Sequence, residues 1–120
     1  MSLALHDYIR MIISMKKTKH NGTYIAPENC HSPKKNWTLL KVLFDHKEGR
    51  PSLAIGMWDK IPRLAIRWNG TKGRPIGNPQ SRGLPTWFML PKDMKDIAEA
   101  AIKSLSHSDK DFVRKLLSER

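Results

Sequence analysis

Between Lys60 and Lys92 the chain carries seven cations, Lys60, Arg63, Arg67, Lys72, Arg74, Arg82 and Lys92, and not one acid. A merely solvated surface mixes signs. A run of one sign suits the capture of a polyanion. Aromatic residues are interleaved with these cations: Trp58, Trp68, Trp87 and Phe88 within or beside the run, and Trp37 ahead of it. Cations hold phosphates, while an exposed ring stacks on an unpaired base, worth about 1–3 kcal/mol per base. Duplex DNA keeps its bases stacked on each other, so the combination points to single strands.

Residues for bond-breaking chemistry are sparse by comparison. There is no phosphate-binding P-loop and no carboxylate pair in a motif. Ser/His/Asp and Cys/His sets do not arise from any local spacing. The catalytic alternative is a small basic ribonuclease or toxin using His46 with Arg63 or Lys41, although nothing local marks a general base. A third reading is a basic protein-interaction module that meets an acidic partner. Cys30, His31, His20 and His46 match no standard zinc spacing and offer one thiol, so no metal or other cofactor is expected.

The bulk numbers frame these readings. At 120 residues the chain fits one folded core. Its 39% hydrophobic and 28% charged residues are those of a folded protein and not of a disordered one. The net charge of +11 and pI near 10.1 cost self-repulsion that a negative partner relieves. No apolar run is long enough to span a membrane. His6, Asp7 and Arg10 interrupt the N-terminus where a secretory leader needs an apolar stretch. A cytoplasmic location is expected, in keeping with a single cysteine and no internal disulfide.

The elements that must position these residues follow from periodicity. Residues 2–16 read as a helix through Leu5, Tyr8, Ile9 and Ile12. The stretch to Asn36 is polar and Gly/Pro-punctuated; Thr23–Ala26 is either loop or a short strand. Strands are predicted over 37–44, 52–58, 63–68 and 86–90, with turns at 45–50 and 59–62 and a long loop over 69–85. Helices are predicted over 91–105, led by Pro91, and over 109–118, capped by Ser108. The loop's cations, Lys72, Arg74 and Arg82, either touch phosphates or are simply solvated; the sequence favours neither.

A four-residue turn at 59–62 would set Trp58 opposite Arg63 and Leu53 opposite Trp68. Alternation then sorts the hairpin into two faces. Leu53, Ile55, Met57, Leu64, Ile66 and Trp68 make an apolar face for the helix to cover. Ala54, Gly56, Trp58, Arg63, Ala65 and Arg67 make a small-floored, cationic face, expected to lie open to a ligand backbone. Trp68 is therefore expected in the core and Trp58 outward. Trp87 and Phe88 point to opposite faces, so one of them should be outward as well.

The stretches SLAIGMWD, PRLAIRWNG and GLPTWFMLPKDM, within residues 37–105, resemble the positive cofactor four family of transcriptional coactivators and its bacterial single-stranded-DNA-binding relatives. The resemblance implies a curved four-stranded antiparallel sheet followed by an amphipathic helix, an α+β fold. It also implies pairing of two copies through their helices. By position it implies DNA contacts from Arg63, Arg67, Trp58 and Lys41. The long loop, the N-terminal helix and the short C-terminal helix depart from the family's pattern. The organisation expected is an N-terminal extension over 1–36, a sheet-plus-helix core over 37–105 and a C-terminal helix over 106–120. The expected function is non-catalytic, weakly sequence-specific binding of single-stranded nucleic acid, with DNA favoured over RNA, by a homodimer acting in transcription or DNA metabolism. The expected contacts are Lys41, Trp58, Lys60, Arg63, Arg67, Lys72, Arg74, Arg82 and Trp87.

Overall fold

The computed structural model describes residues 24–118; the helix expected over 2–16 lies outside them. The fold is α+β, a four-stranded antiparallel sheet followed by two helices. The sheet is a meander of β1 (Trp37–Asp45), β2 (Pro51–Trp58), β3 (Ile61–Trp68) and β6 (Phe88–Met89), in that spatial order. A separate small hairpin, β4 (Gln80–Ser81) with β5 (Leu84–Pro85), stands within the predicted loop. Its turn residues Arg82 and Gly83 both have positive φ, 53° and 77°. That is the backbone of a tight two-residue hairpin turn, with glycine in its favoured second place. Helices α1 (Lys95–Lys103) and α2 (His107–Ser118) follow. No helix among the described residues is long and apolar enough to cross a membrane.

The central hairpin differs from the expected register. Its turn is two residues, Asp59 and Lys60, with φ of 49° and 68°. Trp58 therefore faces Ile61, Gly56 faces Arg63 and Leu53 faces Ile66. The slip is two residues, which preserves the side on which every chain points. The partition into faces therefore stands although each partner changes. Asn36 supports the turn: its Nδ2 donates to Asp59 Oδ1 at 2.8 Å and its carbonyl accepts from Asp59 N–H at 2.9 Å. In β1 the pairing with β2 is irregular between Leu39 and Lys41 and again between Val42 and Phe44.

The apolar face packs against the helices as its composition requires. Leu53, Ile55 and Leu64 form one buried cluster with Ile102, Leu105 and Val113. Each such burial contributes about 1.5–3 kcal/mol. The first helix starts at Lys95 and not at Pro91, because 91–94 forms a turn in which Met94 N–H reaches the Pro91 carbonyl. The second starts at His107, earlier than expected. Ser106 and not Ser108 provides the cap, its hydroxyl accepting from Asp109 N–H at 3.3 Å.

The cationic face is not open. Segment 24–36 crosses it as a strap, with one 3₁₀ turn at Pro27–Asn29 and no strand. Ile25 N–H donates to the Pro75 carbonyl at 2.9 Å, fastening the strap to the loop. Beneath it Cys30, Trp37, Ala54, Ala65 and Trp87 form a second buried cluster. Gly56 lacks a side chain because Trp37 needs the space. A Cβ on Gly56 would collide with the Trp37 indole and the Thr38 carbonyl. The floor expected to receive a ligand backbone is filled by the protein's own tryptophan.

Candidate functional site

Two of the predicted contact residues lie inside the protein, which corrects the expectation for them. Arg67 is 1% exposed and Trp87 is 6% exposed. Arg67 Nε donates to the Thr86 carbonyl at 3.0 Å and Nη2 to the Ile76 carbonyl at 2.6 Å. Its guanidinium lies 5.9 Å from the Trp87 ring centre, in cation–π range. Burial holds the Arg67 pKa below its usual value, and Cys30 acts in the opposite direction. Trp87 Nε1 donates to the Cys30 carbonyl at 2.7 Å, and its ring meets Trp37 at 6.4 Å. Arg67 thus holds the middle of loop 69–85 and the residue that follows it, and Trp87 holds the strap. The sequence could not show this, since the strap comes from a distant part of the chain.

The other predicted contacts are scattered. Lys41 is exposed, but on the helical side, where Nζ pairs with Asp109 Oδ1 at 2.5 Å. Trp58 is half-buried against the strap cluster. Arg63 is half-buried on β3, and Lys60 is exposed in the turn. Lys72, Arg74 and Arg82 are exposed, and none takes part in an ion pair among the described residues. The nearest acid to them in the bonding pattern is Glu48, whose Oε2 accepts from Lys72 N–H at 2.8 Å. His46 stacks on Phe44 at 4.4 Å and pairs through its backbone with Pro51. It therefore sits at the Trp68 end of the sheet, most of a strand away from Arg63, and the ribonuclease grouping of the two is not assembled. Among the described residues no cluster of His, Cys, Asp and Glu could hold a metal ion.

The structure exposes aromatics that the sequence reading placed otherwise. Trp68, expected in the core, is 58% exposed, and Phe88 is 64% exposed. Both lie on the helical side of the sheet, beyond the helices. Phe88 pairs directly across from Ile66, itself 40% exposed. Trp68 lies two residues beyond Ile66 on β3 and so on the same side of the sheet as Phe88. Its backbone is held twice by Asn78: Trp68 N–H donates to the Asn78 carbonyl at 2.7 Å, and the Trp68 carbonyl accepts from Asn78 N–H at 3.0 Å. The fifteen-residue helix expected over 91–105 would span about 22 Å and cover most of β3, whereas the observed helix is shorter. The nine residues of α1 span about 13 Å, whereas the eight residues of β3 span about 26 Å. One short helix leaves half of such a strand uncovered.

The arrangement is two rings on a fixed backbone, at the two ends of an exposed cationic loop. Loop 69–85 leaves directly after Trp68 and returns just before Phe88, carrying Lys72, Arg74 and Arg82. The inward Arg67 and Trp87, each next in sequence to an outward ring, hold that geometry from below. Comparison of the chain with protein-family models, curated proteins and solved structures returns no match.

Proposed function

We propose that the protein binds single-stranded nucleic acid, DNA in preference to RNA, without catalysis and with little sequence preference, on the exposed Trp68–Phe88 platform. The observation that carries this reading is the pair of solvent-facing rings bracketing a loop that has cations and no acid. Bases stack on Trp68 and Phe88, while Lys72, Arg74 and Arg82 hold phosphates. The positive cofactor four resemblance implies the same class of ligand, although on the opposite, cationic face. The proposal moves the site because the strap occupies that face. A homodimer is part of the proposal. Met94, Ile97 and Phe112 leave an apolar surface on the helical layer, 44%, 53% and 42% exposed, for a second copy to cover.

The test is a fluorescence titration with single-stranded DNA, duplex DNA and RNA oligonucleotides at two salt concentrations. Single strands should quench tryptophan emission, and affinity should fall with salt by a log–log slope of about 0.7 per phosphate contact. Trp68→Ala and Phe88→Ala should each cost about 1–3 kcal/mol of binding. Unchanged affinity in both variants refutes the platform. Negligible oligonucleotide binding at ~0.15 M salt, where exposed charges are screened beyond about 8 Å, favours an acidic protein partner instead. RNA cleavage without added metal, lost on His46→Ala, would establish the ribonuclease reading.

A further inference from the structure

We infer that a groove between β3, the connection from β6 to α1, α1 itself and the end of α2 binds a small organic anion with an apolar body. The groove is a cavity of about 240 Å³. An apolar cavity of about 150 Å³ already accepts benzene, so this one takes a ring or a short aliphatic chain. Leu64, Leu90, Ile102 and Leu117 supply an apolar lining. Lys92 and Lys95 stand around it, and Arg63, whose side chain leaves the opposite face of β3, borders both this groove and the concavity on that face. The carboxylate that shares the lining, Glu99, is already engaged by Arg114 at 2.5 Å. None of the three cations takes part in an ion pair among the described residues.

The first turn of α1 adds to the field. Its N-cap, Met94, makes no side-chain cap, so the amides there carry the positive end of the helix dipole. Asp93 and Asp96 lie nearby, form no ion pair among the described residues and oppose this field, so selection of an anion rests on Arg63, Lys92 and Lys95. A second concavity lined by Trp58, Met89 and Asp93 shares Arg63, Leu90, Pro91 and Lys92 with the first. An apolar cleft with a few convergent charged groups is the usual form of a small-molecule site. Here the charge selects the head group: a carboxylate over an ammonium or a neutral alcohol. The site does not involve Trp68 or Phe88 and stands independently of the nucleic-acid reading.

Calorimetric titration of the full chain with octanoate, octanol and octylammonium tests it. Octanoate should bind. Octanol should bind about tenfold more weakly or worse, the loss expected when charge-assisted hydrogen bonds are absent. Octylammonium should not bind. Arg63→Gln combined with Lys95→Gln, both at solvent-accessible positions, should bring octanoate down to the level of octanol. Ala98→Phe, which fills the cavity from α1, should weaken both, with the unfolding midpoint showing that the fold is kept. Phe88→Ala should leave octanoate binding unchanged. Equal affinities for octanoate and octanol, undiminished binding in the charge variant, no octanoate binding at all, or loss on Phe88→Ala would each overturn the inference.

Discussion

The two sides of the β3–β6 edge differ in what neighbouring residues do. Arg67 and Trp87 point inward and are almost wholly covered, whereas Trp68 and Phe88, next to them in the chain, point outward and stay exposed. By residue type the reverse would be expected, with arginine outside and tryptophan and phenylalanine equally fit for the core. The inversion has a physical cause. Arg67 has two backbone carbonyls and an aromatic face as partners, which offset much of the cost of burying its charge. Trp68 lies past the reach of the helices, and among the described residues no layer covers it. Position relative to the covering elements decides the outcome, and hydrophobicity alone does not.

The contrast can be broken most severely at Arg67. Arg67→Ala should destabilise the fold by about 3–5 kcal/mol, because it opens a cavity and strands two buried carbonyls. Urea unfolding checks this, and Arg67→Lys should rescue little, since one ammonium cannot match the geometry of the fork. Gly56→Ala should cost about 1–3 kcal/mol by forcing Trp37 out of its seat, seen as a lower unfolding midpoint and changed near-ultraviolet dichroism. Trp87→Phe should cost about 1–2 kcal/mol through the lost bond to the Cys30 carbonyl. On the outer side, Trp68→Ala and Phe88→Ala should change stability by about 0.5 kcal/mol or less. A loss as large as that of Arg67→Ala would mean that the platform is structural.

The effect of pH is confined to alkaline conditions. Burial pushes the Cys30 thiol up to about 11, with Arg67 acting in the opposite direction. The unfolded thiol ionises from its ordinary value of 9.0, so the folded state holds the proton more tightly. That contribution is complete below pH 9 and is lost as pH rises toward 11. Cys30→Ala should flatten the fall in stability over this window. The native thiol should also resist alkylation near neutral pH and react once the chain is unfolded. Tyr24, raised by burial and by Asp45, which accepts its hydroxyl at 3.0 Å, has the same sign at still higher pH.

What was legible in the sequence was alternation. It assigned residues 53–58 and 63–68 to the correct faces, even though a tight Asp59–Lys60 turn replaced the looser one expected. A slip of an even number of residues leaves that assignment intact. A helix after the sheet was legible too, although it runs only from Lys95 to Lys103 and leaves Met94 and Ile97 exposed. What was not legible was cover. A sheet face built of Gly, Ala and Arg reads the same whether water, a ligand or a remote strap lies on it. The strap has no periodicity to announce its path, only the contacts of Ile25 and Cys30 with residues far along the chain. The hairpin at Arg82–Gly83 was missed because its strands are two residues each, too short to show a pattern.

The two ends of the sheet carry a further consequence. One border strand, β1, has two interruptions in its pairing, and the other, β6, is two residues long. Neither offers a long, flat row of free amides and carbonyls on which another chain could template itself. Association between copies must then be built from side chains meeting side chains, and a protein this rich in β-structure is guarded against growing into ribbons.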